Sequence, residues 1–133
     1  MRVSDQDYVR SCVAKERQLA HLLGHPHVEE CYESAGVLWD KTQALPRWTR
    51  DWAACGPLIA QYAIAIQFEP LPGQTQIGQA TLGGTTVHFS DHPSRERALM
   101  FGIVKEVIRL LEHPHGHAQA AAGAAKALAH GAK

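Results

Sequence analysis

The chain has 133 residues, 45% hydrophobic and 20% charged, which fits one globular domain of ordinary composition. A domain of this size buries roughly two-thirds of the surface its unfolded chain exposes, so it needs no metal or disulfide to stand. Thirteen Lys and Arg balance thirteen Asp and Glu, and a net charge of zero argues against a long-range field that gathers nucleic acid or anionic lipid.

The first residues, Met1-Arg2-Val3-Ser4-Asp5, lack the apolar core of a signal peptide. No apolar run approaches the ~20 residues of a membrane span. A soluble, cytoplasmic protein with no membrane partner is expected. Ser4 opens the first predicted helix, its oxygen placed to accept from the Asp7 amide, with Asp5 and Asp7 at the positive helix end. Tyr8, Val9, Cys12, Val13, Leu19, Ala20, Leu22 and Leu23 recur near a 3.6 period. Lys15, Glu16, Arg17 and Gln18 are assigned to water, and Gly24 to the helix stop.

His25-Pro26 restarts the chain, and a short helix is expected with Val28, Cys31, Tyr32 and Ala35 on one side, ending at Gly36. Val37-Leu38-Trp39 then has strand character; the alternative is one helix running on to Trp39. Residues 40–48 read as a loop, with Pro46 forcing Leu45 toward an extended conformation. Asp51 caps a turn over 51–55. Pro57 cannot donate within a helix begun at Asp51, so 57–62 is predicted as a separate helix with Leu58, Ile59 and Tyr62 buried. Trp52 is expected to plug the join.

Residues 64–68 alternate β-branched or aromatic with smaller side chains, as a strand does, and Pro70, Pro72 and Gly73 end it. Residues 75–80 and 85–90 flank Gly83-Gly84, which permits a tight hairpin turn. Val87 and Phe89 point one way, Thr86 and His88 the other. Ser90-Asp91-His92-Pro93-Ser94 is a strong helix start. The helix it opens carries Leu99, Met100, Ile103, Val104, Val107, Ile108 and Leu111 in a broad apolar stripe. Arg95, Lys105, Glu106, Arg109 and Glu112 are placed outward. The expected fold is a single α+β domain over 1–112, with a small antiparallel sheet near 64–68, 75–80 and 85–90. The His- and Ala-rich tail, 113–133, has helix propensity but little to bury, and reads as frayed or disordered.

The cysteines, Cys12, Cys31 and Cys55, are odd in number and widely spaced, with no Cys-x-x-Cys pair, so they read as small buried residues of a reduced protein. Cys55 lies near a helix start, where a thiolate can be stabilised, but no histidine is compelled to approach it. Of nine histidines, His113, His115 and His117 alternate, and His25 and His27 flank Pro26. Such imidazoles bind transition metals adventitiously. No His-Glu-x-x-His helix is present, and no carboxylate or thiolate is spaced to close a shell. No Gly-x-Ser-x-Gly elbow exists, and Gly83-Gly84 lacks the lysine and following helix of a phosphate loop. No catalytic, cofactor-binding or metal residue is assigned, and no cofactor is expected. Arg47, Trp48, Arg50 and Trp52 mix guanidinium and aromatic groups of the kind that stacks on bases or holds anions, and are the interaction candidates.

Thr49-Arg50-Asp51-Trp52-Ala53-Ala54-Cys55-Gly56-Pro57-Leu58-Ile59 resembles the Ser/Thr-x-Asp-Trp-Ala-x-x-Gly-Pro-Leu-Ile segment of the phage ABA-sandwich domain. That family includes the NinX-like proteins of bacteriophages and prophages. In it the segment leads into a helix and an Ile-rich strand, matched by Ile64-Ala65-Ile66, then a hairpin. A Pro-led helix follows, matched by Pro93-Ser94-Arg95-Glu96-Arg97-Ala98-Leu99. The resemblance implies an α-β-α sandwich, with the sheet packed between helices, of phage or prophage origin. It implies no catalytic residues, because the family has no established function. The expectation is a non-enzymatic accessory protein that binds another macromolecule, first a protein of phage or host. One rival is a metal-assisted hydrolase using His88, His92 or the 113–117 cluster. Another is a nucleic-acid-binding module using Arg47, Arg50, Arg95 and Arg97. A homodimer is compatible with the neutral surface and an unpaired hairpin edge.

Overall fold

The computed structural model describes residues 4–31 and 36–113. Helix α1 (Asp5–Leu22) begins as its sequence dictates: the Ser4 hydroxyl accepts from the Asp7 amide at 3.2 Å. Past its end Gly24 takes a φ of +101°, a left-handed conformation that glycine adopts without steric cost. Tyr8, Cys12, Val13, Leu19 and Ala20 form the buried face. Glu16, expected in water, is buried with them. It follows Cys12 by four residues and precedes Ala20 by four, so helix geometry places it on the inner face.

The short helix expected after Pro26 does not form at Glu29–Cys31. That segment is strand β1, antiparallel to β2 (Val37–Asp40), with Glu29 opposite Trp39 and Cys31 opposite Val37. Residues 32–35 of the expected helix lie outside the described residues. Pairing with an apolar, β-branched and aromatic neighbour outweighs the weak helical pattern of so short a stretch. The segment expected as loop contains a two-residue strand, β3 (Gln43–Ala44), which completes a sheet ordered β1-β2-β3. Gly36 holds a φ of +80°, and a Cβ there would lie 2.8 Å from a Val13 methyl.

Helix α2 (Trp52–Gln61) is continuous through Pro57, contrary to the two pieces expected. Asp51 caps it, accepting from the Ala53 amide at 3.0 Å. Pro57 withholds one bond, to the Ala53 carbonyl, and burial of Cys55 and Leu58 on either side carries the helix across. With no join to plug, Trp52 sits at the helix entrance, 40% exposed.

The second sheet is ordered β4-β5-β6. Strand β4 (Ile66–Pro70) starts and ends two residues later than expected, with Pro70 at a register shift on the sheet edge, where a missing N–H breaks no ladder. Strands β5 (Ile77–Leu82) and β6 (Thr85–His88) form the hairpin on Gly83-Gly84, Gly83 at a φ of +62°. A 3-10 turn (Phe89–Asp91) leads to Ser94, whose hydroxyl caps α3 (Arg95–Glu112) by accepting from the Arg97 amide at 3.1 Å. The fold is α+β with antiparallel sheets. Among the described residues no helix is long and apolar enough to cross a membrane.

Helix α3 is the centre of the packing. It touches α1, α2, β5 and β6, while the first sheet packs on α1 through β2. Met100, Ile103, Val104, Val107 and Ile108 join Leu19, Leu38, Leu58, Ile64, Leu82 and Val87 in one core. Each large aliphatic buried there contributes roughly 1.5–3 kcal/mol relative to exposure. Gly102 brings α3 close to the sheet; a Cβ there would meet Leu82 Cδ1 at 2.6 Å. The register puts Ile66, Phe68, Ala80, Leu82, Thr85 and Val87 on the helix-facing side. The other side is polar: Glu69 Oε1 accepts from Gln79 Nε2 at 3.0 Å and from the Thr81 hydroxyl at 3.1 Å.

Candidate binding cleft

The four interaction candidates of the tryptophan segment separate. Trp48 is in the core at 6% exposure, whereas Arg47 and Trp52 are exposed. Arg50 grips the buried Glu16 carboxylate with both faces of its fork, Nε to Oε2 at 3.1 Å and Nη2 to Oε1 at 2.6 Å. The Thr49 amide and hydroxyl also donate to Glu16, and Arg50 reaches the Gly36 carbonyl at 3.3 Å. This segment therefore clamps α1 to the entrance of α2 and to the first sheet.

A second clamp closes the hairpin. Glu106, expected outward, is buried, and accepts from Arg109 at 2.8 and 2.7 Å and from the Thr85 hydroxyl at 2.8 Å. Burial alone would raise its carboxyl pKa. Hydrogen bonds from Arg109, Thr85 and the Gly84 amide outweigh that and hold it below the ordinary carboxylate value. Both Glu16 and Glu106 are thus committed to internal partners. Cys55 is equally withdrawn: fully buried, its thiol is pushed up to about 12 by desolvation, far from a reactive thiolate.

The arginines of the nucleic-acid reading have internal partners as well, Arg47 aside. Arg95 lies 5.2 Å over the Phe89 ring and donates to the Ile77 carbonyl at 3.2 Å. Arg97 lies 5.2 Å over the Tyr8 ring and donates to Cys12 Sγ at 3.8 Å. Among the described residues no three His, Cys, Asp or Glu side chains come together as a metal would need. His115 and His117 lie outside those residues.

What the sequence did not suggest is a cleft of about 460 Å³ between α1, β6, the 3-10 turn and α3. That size is within the range of small-ligand and peptide-side-chain pockets. Its floor is Tyr8, His92 and Phe101. The Tyr8 hydroxyl and His92 Nδ1 are 2.6 Å apart, with the rings edge-on at a centroid distance of 5.4 Å. Phe101 adjoins both, at 6.0 Å from Tyr8 and 5.3 Å from His92. Ser11 of α1, Thr86 and His88 of β6, Asp91 and Lys105 form the rim.

The floor is electrically quiet. Burial lowers the His92 pKa below 6.5; Asp91 opposes this, and Arg97 and Lys105 reinforce it. Burial also raises the Tyr8 phenol, the largest of several causes. Both groups are neutral at pH 7, and the phenol oxygen and Nδ1 share one hydrogen bond. The sign of the consequence for stability is set by this shift. The unfolded chain protonates His92 below about pH 6.5, while the folded one resists until lower pH. Stability from this group is complete above pH 6.5 and declines as pH falls through that value. Thermal melts from pH 8 to pH 5 should show that decline, and His92→Phe should flatten it.

No local pattern announces the pair, because Tyr8 and His92 are 84 residues apart in the chain. The available signals were each ambiguous: a tyrosine on a buried helix face, and a histidine inside a helix-start motif. No family model, curated protein or solved structure matches the chain.

Proposed function

We propose that this domain is a non-enzymatic binding module, and that the cleft between α1, β6 and α3 is where it holds its partner. The observation that carries the reading is the cleft floor. A general base needs an accessible lone pair and a pKa near the working pH. His92 Nδ1 is taken up in a 2.6 Å hydrogen bond with the Tyr8 hydroxyl, the ring is buried, and its basicity is depressed. Such a floor suits recognition: apolar ring faces with a fixed donor and acceptor, surrounded by a polar rim. The rim carries Lys105 and Asp91 together, which suits a protein better than the uniform negative charge of nucleic acid.

The resemblance of residues 49–59 to the phage ABA-sandwich domain supports an accessory role in a phage or prophage, in the host cytoplasm. It rests on those residues and on the order of the elements that follow.

The test is an amide-shift titration of the ¹⁵N-labelled protein with a library of small polar aromatic fragments. Shifts should cluster on Tyr8, Ser11, Thr86, His88, Phe101 and Lys105. Ser11→Trp, which fills the cleft from an exposed position of α1, should abolish them and leave the melting midpoint within about 2 °C, as surface changes usually do. Shifts scattered over the surface, or none, would overturn the assignment.

A further inference from the structure

We infer that the partner enters this cleft as an extended peptide, adding a strand to the outer edge of β6. The inference rests on the cleft being the binding site, and the hydrogen-bond register of the sheet gives it its content. Gly83 donates to the Ala65 carbonyl at 2.9 Å, so Gly83, Thr81 and Gln79 turn their backbone groups toward β4. Leu82 and Ala80 therefore turn theirs toward β6, where they pair with Thr85 and Val87. It follows that the Thr86 N–H and C=O and the His88 N–H point away from β5, to an edge that pairs with no strand among the described residues. The His88 carbonyl is engaged as the cap of the 3-10 turn.

These outward groups lie on two of the three residues of β6 that line the cleft, Thr86 and His88 beside Val87. A free edge beside a helix-walled groove is the arrangement in which extended peptides are bound by strand addition. The opposite edge of the same sheet is protected against this. On β4 the outward-facing residues include Pro70, which has no N–H, and the register shifts between Glu69 and Pro70. The β6 edge carries neither proline nor bulge.

The register also specifies the peptide. Its alternate side chains would lie on the Val87 side, over Phe101 and Tyr8, and should be apolar. The intervening ones would lie with Thr86 and His88, facing water, and should be polar. The partner is therefore a segment of alternating apolar and polar residues, accessible in extended form.

The experiment starts by panning a displayed random heptapeptide library on the folded protein and synthesising the selected sequence. Its binding should slow hydrogen exchange at the Thr86 and His88 amides and leave Thr85 and Val87, already paired to β5, unchanged. N-methylation along the peptide should weaken binding by about tenfold at the residue that donates to the Thr86 carbonyl, the one free acceptor on the edge, and spare the residues on either side of it. Thr86→Pro removes the outward donor without touching the β5 ladder and should weaken binding comparably. The N-methyl scan uses the unaltered protein and decides the matter even if that variant folds poorly. Strand addition is overturned if no heptapeptide binds, if the two amides stay unprotected, or if no single N-methylation weakens binding while its neighbours are tolerated. Fragment shifts at the cleft without peptide binding would leave the cleft standing and remove only the strand. Loss of both would remove both.

Discussion

Glu16→Ala is expected to lower the stability of this domain by about 3–5 kcal/mol, the usual cost of breaking a buried ion pair from one side. The side chains of Glu16 and Arg50 are 1% and 12% exposed, so Arg50 cannot recover its hydration without moving. The Thr49 amide and hydroxyl lose their acceptor in the same step. Against a typical total of 5–15 kcal/mol, that brings the fold close to its threshold. Urea unfolding at pH 7 measures it. The double variant Glu16→Met, Arg50→Met should recover much of the loss, because an apolar pair of similar volume leaves no buried charge behind. A loss below about 1 kcal/mol for Glu16→Ala would place the pair among solvated surface bridges instead.

Ile103→Asp should abolish the fold. Ile103 is fully buried on the helix that packs against α1, α2 and the second sheet. A carboxylate there has no partner and must either carry its charge into the core or take up a proton against its preference. Ile103→Val is the control: removing one methylene should cost about 0.5–1.5 kcal/mol and preserve cooperative melting. An Ile103→Asp protein that melts cooperatively at the unaltered midpoint would mean that α3 is not the core element.

The long helices were readable because eighteen residues give a 3.6 period room to repeat. Ser4 announced its helix through an oxygen placed to accept the first amides, Asp51 announced a capped turn that proves to be the start of α2, and Gly83-Gly84 announced the hairpin. Of the first sheet only the middle strand, at Val37-Leu38-Trp39, was readable. Its outer strands have three and two residues, too few for alternation to emerge, and their pairing is a tertiary event. Pro57 misled because the rule about proline counts one lost bond and not the burial around it. Glu16 and Glu106 misled because charge was weighed above position, although Glu16 falls on the 8, 12, 16, 20 spacing of a buried face. The tryptophan segment supplied the interaction candidates, yet Trp48 and Arg50 are turned inward to packing and a clamp. The cleft lies elsewhere: His88 and His92, named together in the hydrolase reading, both line it, but Tyr8 and Ser11 join them from a helix that no spacing connects to theirs.

The clamp at the hairpin also says where this protein can be altered freely. A Cβ at Gly83 would stand 2.3 Å from Glu106 Oε2, and one at Gly84 would stand 2.8 Å from the Arg109 guanidinium carbon. At Gly73, in the connection between β4 and β5, nothing lies within 4 Å. A fluorescent reporter or an affinity peptide belongs in that second connection, where the chain has open space around it. Spliced into the hairpin, the same cargo would lever the turn from the helix beneath it and carry the β6 edge out of line.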